Sequence, residues 1–392
     1  MKNKTLLYFG LLVGLFSILF IVVETLNHKL YMNDLKVYYE ATKDFLVGNN
    51  PYQHSYELKS GYFKYAPPTL FLFSLLTFFE FSIVKFFHLG VSILMIFIVI
   101  PLWYRLLKEY FVTSSSKKSL ILNVSFLIIV IHVTREFHLG NVNLILLGLF
   151  VVGYYLIVRN RTHLGLFLWA IMVLLKPIMI FTFIPLIINR KWKELGVLIL
   201  FGCSFLLIPM VFIDSQKNFI LWADWIKAIV SHGTYLKSPQ SLQYLFHNFF
   251  DVQISWFYSI ICLIILITLN IIEVIKNGVN QESTLFWSII YVAFIPSFFI
   301  TDTEHFIMTL PLIMFLLYSL IQIKSKSMWL LFFFGILFYS FDSMDLLGRK
   351  LSTLVYDNGI LGIGNLIFIT LGIILWNKYK FIISQSNNQV EN

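Results

Sequence analysis

Apolar residues fill this chain in long blocks separated by short polar connections. Blocks of about 18 residues are long enough to cross a hydrocarbon layer as helices, and blocks of about 12 suit interfacial or paired shorter segments. Long blocks fall at residues 5–23, 83–104, 118–134, 140–158, 194–213, 253–275, 284–301, 306–323, 327–341 and 359–376. Two shorter blocks, 164–175 and 177–189, flank Lys176-Pro177, and a third, 67–79, follows Pro67-Pro68. The first block runs unbroken from Leu6 to Val23 behind Lys2 and Lys4 and ends without a small-residue cleavage site, so it reads as an uncleaved first helix. Gly10 and Gly14 share one face of it, a spacing that suits a close helix contact or simply the abundance of glycine in membrane helices.

Composition says what those blocks face. Of 392 residues, 58% are hydrophobic and 12% charged, with a mean hydropathy of +0.81. A soluble domain carries about a quarter charged residues, so here the apolar surface must meet a bilayer. A soluble enzyme, a disordered chain and a nucleic-acid binder are excluded. Cys203 and Cys262 each sit alone in apolar blocks, which fits neither a disulfide framework nor a zinc site.

Charge then sets orientation. If block 67–79 crossed the bilayer, Arg105, Lys108, Lys117 and Lys118 would fall outside; if it lies on the outer surface, they fall inside, as positive charge prefers. The block is short and follows two prolines, so it reads as an interfacial elbow helix. The blocks around Lys176 then form a pair, up and back. The result is an all-α polytopic membrane protein of about 12 transmembrane segments, a single domain over residues 1–380 with a polar cytoplasmic tail, 381–392, disordered from Ser384. Both termini face the cytoplasm, in a cell membrane. Net charge comes to +11 inside and −2 outside.

Outer connections are long, 24–82 and 214–252, with a third at 342–358, whereas inner ones are short, and function tends to reside on loops held by a scaffold. In the first loop, Tyr38, Ala41, Thr42 and Phe45 share one face at helical spacing, with Asn33 placed to cap and Gly48 to stop an interfacial helix over 33–47. Asp34 falls in its first turn. A carboxylate there is favoured by the helix dipole alone; it is also a candidate general base at the bilayer surface. Lys176, near the end of a short apolar helix, is either a snorkelling lysine or a cation held for an anionic ligand. His305 at a block's start reads as an interfacial side chain or a ligand contact. Arg135 and Glu136 read as a local surface pair, and Tyr38, Tyr39, Tyr52 and Tyr65 as interfacial anchors, one of which stacks on a ligand.

Several segments resemble one known family in order along the chain. Asp34-Leu35-Lys36-Val37-Tyr38-Tyr39-Glu40-Ala41, Gly48-Asn49-Asn50-Pro51-Tyr52 and Tyr65-Ala66-Pro67-Pro68 are similar to the first outer loop of the polyprenol-phosphate-mannose-dependent mannosyltransferases, glycosyltransferase family 87. Gly140-Asn141-Val142-Asn143 resembles that family's Gly-Gln-x-Asn motif, Lys176-Pro177 its Lys-Pro, and Pro239-Gln240-Ser241-Leu242 its Asn-Gln-Ser-Leu. Thr303-Glu304-His305 followed by Leu310-Pro311-Leu312 resembles its His motif before Leu-Pro. The resemblance spans residues 5 to 320, with Asn141 and Pro239 departing from the usual Gln and Asn.

The resemblance implies the GT-C fold, an active site on the outer face and a catalytic aspartate at Asp34. It implies transfer of a hexose, mannose in the family, from a polyprenyl-phosphate donor to a glycan or glycolipid hydroxyl, with inversion. Lys176 would then meet the donor phosphate and His305 the phosphate or acceptor. Asn141 and Asn143 would line the sugar pocket, Gln240 and Ser241 would hydrogen-bond sugar or acceptor, and Tyr38 and Tyr65 would border the site. No metal or other cofactor is expected, as the sequence has no Asp-x-Asp motif; the phosphate is itself the leaving group, so little proton donation is required, and the helix-terminal position of Asp34 would keep it ionised and weakly basic. A transporter or flippase of lipid-linked sugars is the competing reading, although the apolar blocks are almost free of carboxylates. A cell-surface glycan polymerase or ligase is another, with a similar layout but its main loop late in the chain. A structural scaffold would leave Asp34 dispensable.

Overall fold

A computed structural model describes residues 2–56, 61–111, 117–232, 238–251, 255–299, 301–340 and 343–390. The described elements are helices: α1 (Lys2–Leu26), α2 (Asn33–Leu46), α3 (Thr69–Ser74), α4 (Phe81–Tyr110), α5 (Lys118–Leu139), α6 (Asn143–Val158), α7 (Thr162–Leu175), α8 (Ile184–Ile188), α9 (Trp192–Leu207), α10 (Ser215–His232), α11 (Leu242–Phe250), α12 (Ser255–Asn277), α13 (Gln281–Phe298), α14 (Leu310–Ile323), α15 (Lys326–Ser340), α16 (Met344–Asp357, broken at Gly348) and α17 (Ile360–Val390). Short 3-10 segments join several of them, among them Leu75–Phe78, Pro177–Phe183 and Thr303–Thr309. The protein is an all-α polytopic membrane protein.

Seven stretches among the described residues are long and apolar enough to cross a membrane: Lys4–Leu26, α4, α5, Trp192–Val211, Trp256–Asn277, Thr303–Ile323 and Ile360–Lys378. Against the expected twelve, Asn143–Val158, Thr162–Leu175, Pro177–Ile188 and Lys326–Ser340 are apolar but shorter, as is Thr69–Phe78. Burial explains the architecture. The apolar window of Thr303–Ile323 is 83% buried and that of Trp192–Val211 only 11%. Leu11, Leu15 and Ile18 of α1, and Ile199 and Leu200 of α9, point outward. Such a continuous apolar exterior is stable only against lipid. α13 and α14 form the centre, buried almost all round.

The bundle has two polar ends. At one, Arg159 pairs with Glu109 at 2.5 Å, Tyr110 donates to Gln281 at 3.0 Å and Asn189 to Thr284 at 2.6 Å. Here too Glu273 is buried, accepting from the Ser283 hydroxyl and the indoles of Trp287 and Trp376. At the other, His138 meets Glu24 at 3.2 Å, Lys85 donates to the Leu30 carbonyl at 2.8 Å and His88 meets the Asn141 carbonyl at 2.9 Å. The close helix contact lies between α6 and α7, where a Cβ on Gly165 would come within 2.5 Å of the Gly153 carbonyl. Gly10 and Gly14 do not serve this way: around Gly14 nothing lies within 4 Å of an added Cβ.

The connection between α1 and α4 is folded, not a loose loop. α2 packs on α3, with Tyr38 stacked on Phe73 at 5.1 Å and Phe45 edge-on to Phe71 at 5.3 Å. Tyr38, Tyr39, Tyr52 and Tyr65 are therefore buried, not interfacial anchors: the Tyr39 hydroxyl donates to the Phe79 carbonyl and that of Tyr52 to the Tyr65 carbonyl. Asn33 is the first residue of α2 and not its cap; the cap position is Met32, in the left-handed region at φ 52° with no side-chain cap. Gly48, at φ +91°, follows the helix end. α10 leans on this assembly, its Trp225 indole donating to the Lys64 carbonyl and its Asp224 accepting from Asn50. At the far end of the chain, the tail expected to be disordered continues α17 as helical backbone to Val390, with 391–392 outside the described residues.

Candidate active site

The site is assembled at a turn. α5 ends at Gly140, which adopts φ +68° and donates to the Glu136 carbonyl at 2.9 Å. That conformation suits glycine. Space demands it as well: a Cβ there would lie 2.8 Å from the Leu35 Cβ and 3.0 Å from the Met32 Cβ. The start of α2 can therefore rest directly on the α5–α6 turn, where the Met32 N–H donates to the His138 carbonyl at 3.1 Å. This seating brings Asp34 to Asn141, whose amide donates to Asp34 Oδ2 at 2.8 Å and reaches Glu304 Oε1 at 3.3 Å.

Asn141 is the hub. Its Oδ1 accepts from the Val142 N–H at 2.8 Å and from Lys176 Nζ at 3.2 Å. Lys176 also donates to Asn143 Oδ1 and His305 Nε2, both at 2.8 Å. The lysine reaches the cluster because Pro177 excludes a helical conformation at the preceding residue: Lys176 adopts φ −136° and ψ 104°, and α7 stops there. Since His305 accepts at Nε2, its proton sits on Nδ1, facing the Asp302 carbonyl at 3.2 Å and Glu304 at 3.5 Å.

Glu136 is not part of a surface pair with Arg135. It is fully buried and accepts from Asn143 Nδ2 and from the Leu144 N–H, both at 2.9 Å. It thus caps the start of α6, where unpaired backbone N–H groups favour negative charge. Buried Glu136 and Glu304 lie just outside apolar blocks 118–134 and 306–323, at the same polar end of the bundle as Asp34.

Asp34 is half-buried among protein groups, and its pKa is raised from 3.8 to about 6. Loss of water is the main cause, reinforced by Asp302 and opposed by Lys176, Lys64 and the Asn141 hydrogen bond. The helix N-terminus does not hold it low. Asp302 is pushed upward too, chiefly by burial, and the Lys64 ammonium is pushed down by burial against the pull of Asp302, Asp34 and Glu304. The arrangement offers a proton acceptor poised near neutrality beside a cation held by three uncharged acceptors.

The other expected residues lie further off. Tyr38 and Tyr65 are buried beneath the start of α2 and share a hydrogen bond at 2.8 Å. Ser241 caps α11, accepting from the Tyr244 N–H at 3.3 Å and donating to the Ser238 carbonyl at 2.9 Å. Ser238 in turn donates to the Thr301 carbonyl at 2.6 Å, which places this turn beside Asp302 but not within the Asp34 cluster. Gln240 is 1% exposed and its side-chain Nε2 has no hydrogen-bond partner among the described residues, a donor that buried amides seldom leave unused.

The profile of glycosyltransferase family 87 matches residues 63–300, more than half of the sequence. The chain belongs to glycosyltransferase family 87. It is therefore a membrane glycosyltransferase of the GT-C superfamily. No curated protein matches it. The match takes in Lys64, Glu136, Asn141, Asn143, Lys176, Gln240 and Ser241 of this glycosyltransferase, whereas Asp34, Asp302, Glu304 and His305 lie outside it and are joined to the matched residues by the contacts above.

The sequence singled out no role for Lys64, Asp302 or Glu304, and for Glu136 only the surface pair that its burial overturns. Glu136 had a local signal: an acidic residue just before a Gly-Asn-x-Asn turn can reach forward to cap the next helix. Lys64 and Asp302 had none, since they approach each other only through the fold.

Proposed function

We propose that this glycosyltransferase moves a hexose from a polyprenyl-phosphate donor to a hydroxyl of a glycan or glycolipid on the outer face of the cell membrane, with inversion. The observation that carries the reading is the hydrogen-bonded path from Asp34 through Asn141 to Lys176: one proton acceptor and one cation in a single cluster. The acceptor oxygen attacks the anomeric carbon as the bond from that carbon to the phosphate oxygen breaks. The acceptor proton passes to the Asp34 carboxylate, and polyprenyl phosphate leaves with the bonding electron pair. A carboxylate with a pKa near 6 is ionised at neutral pH yet basic enough to take the proton as the new bond forms.

Lys176 offsets the charge that develops on the departing phosphate, where a pre-oriented cation stabilises the transition state more than the ground state. Asn143 and His305 hold that ammonium in place. A phosphate leaving group needs no proton, so one carboxylate suffices, in contrast to the two of glycoside hydrolases.

The test is transfer by the purified protein from polyprenyl-phosphate hexoses to candidate glycan acceptors, with and without chelator. The expected result is transfer by the wild type that survives chelation, with mannose as the preferred sugar, and loss of transfer in Asp34→Asn. Undiminished turnover by well-folded Asp34→Asn protein would overturn the assignment of the base.

A further inference from the structure

A cavity of about 410 Å³ lies outside the Asp34 cluster, between the first outer segment and α10, bordered by Tyr52, Gln53, Tyr62, Asp224, Lys227 and Ala228. We propose that this cavity is a saccharide subsite, which holds the sugar residues of the acceptor that lie beyond the reacting hydroxyl. The proposal rests on the glycosyl-transfer reading of the Asp34 site and adds the substrate class that the neighbouring surface is built to hold.

Size and chemistry both point to this ligand. Small-molecule sites commonly enclose about 300–1,000 Å³ and combine apolar rings with a few fixed polar groups. Two phenol rings border this one. Its carboxylate is already oriented: Asp224 Oδ2 accepts from Asn50 at 2.8 Å and from Gln53 at 3.2 Å, and Oδ1 accepts from Lys227 at 2.9 Å. The Gln53 amide, which borders the cavity, has a second N–H and a carbonyl oxygen, so donors and acceptors stand beside the Asp224 carboxylate at close range. Vicinal hydroxyls, which both donate and accept, match that pattern, and the C–H face of a pyranose suits an aromatic ring. Charge argues against an ionic ligand. Asp224 and Lys227 pair with one another, so the bordering residues present a neutral polar surface and not a net charge.

Position argues for an acceptor. The Tyr52 hydroxyl donates to the Tyr65 carbonyl at 2.7 Å, and the Tyr65 hydroxyl meets that of Tyr38, one turn of α2 beyond Asp34. On the α10 side, the Trp225 indole holds the Lys64 carbonyl at 2.9 Å, and the Lys64 ammonium acts on Asp34 and Asp302. The cavity is thus braced by the residues that support the base.

The experiment measures equilibrium binding of a hexose methyl glycoside, a disaccharide and a trisaccharide to the purified full chain without donor. The wild type and Asp34→Asn are expected to bind alike, with affinity rising with saccharide length. Ala228→Trp, which fills the cavity, is expected to weaken trisaccharide binding by about tenfold, and Gln53→Ala by about threefold, on the scale of one or two hydrogen bonds. In transfer assays Ala228→Trp is expected to raise KM for the trisaccharide and leave KM for the lipid donor unchanged. Trisaccharide affinity that is equal in wild type, Ala228→Trp and Gln53→Ala overturns the subsite, as does absence of binding by the wild type. Binding needs no turnover, so a failure of Asp34 as base would be seen separately, as transfer that persists in Asp34→Asn.

Discussion

Replacing Asn141 by alanine tests the coupling between base and cation directly. The substitution removes the 2.8 Å hydrogen bond that favours the ionised form of Asp34. A hydrogen bond to a charged group contributes about 1.5–3 kcal/mol, and each pKa unit corresponds to about 1.4 kcal/mol. With part of the loss recovered by water at the half-buried carboxylate, the Asp34 pKa is expected to rise by about one unit. A general base works only when ionised, so activity falls as pH drops through its pKa, and the variant should lose activity at a higher pH than the wild type. At pH about 6.5 the ionised fraction drops about threefold for a shift from about 6 to about 7, while above about pH 8 the two forms are ionised alike. The assay is kcat/KM for acceptor against pH, each enzyme normalised to its own alkaline plateau. Normalising separates the titration from any constant loss caused by loosening Lys176, which also contacts Asn141. An acid limb that stays in place or moves to lower pH would refute the argument that Asn141 holds Asp34 ionised.

Four further outcomes follow from the same contacts. Asp34→Asn is expected to abolish transfer and to raise thermal stability above about pH 6. The native pKa lies above the ordinary 3.8, so the unfolded chain ionises first as pH rises and the folded state is penalised from there to about 6, by at most about 3 kcal/mol; below that range both states are protonated and melting curves should coincide. Lys176→Met is expected to weaken donor binding by about tenfold or more, read by titration with polyprenyl phosphate, because the uncharged chain cannot offset the phosphate. Glu136→Ala should lower the melting temperature, since it strands the Leu144 N–H and Asn143 amide in a buried place at a cost of about 1–3 kcal/mol each. Gly165→Leu should impair folding of the α6–α7 pair, as its Cβ alone meets the Gly153 carbonyl; melting equal to wild type in detergent would contradict that close contact.

The physical basis of the fold was largely legible in the residues. Apolar blocks identify membrane helices because lipid selects hydrophobicity locally, residue by residue. The Lys176-Pro177 break, the elbow after Pro67-Pro68 and the helix carrying Asp34 could be read the same way, since proline restrictions and helical spacing act over a few positions. The tyrosines show where local reading stops. Local pattern made Tyr38 and Tyr65 interfacial anchors, but the packing of α2 on α3 turns Tyr38 inward, where it shares a hydrogen bond with buried Tyr65.

The site followed the same division. Sequence alone singled out Asp34, Lys176, Asn141, Asn143 and His305 as candidates and set the order of the segments that carry them. Tertiary structure decided that all five meet at one end of the bundle, that Glu136 is buried as a helix cap, and that burial raises the Asp34 carboxyl to about 6 where a helix N-terminus alone would hold it low. The reason is that hydrophobic pattern and proline geometry are properties of neighbouring residues, whereas the field at the Asp34 carboxylate comes largely from Lys176, Asp302 and Asn141, more than a hundred positions away in the chain, with Asn141 brought near when Gly140 lets α2 settle on the α5–α6 turn.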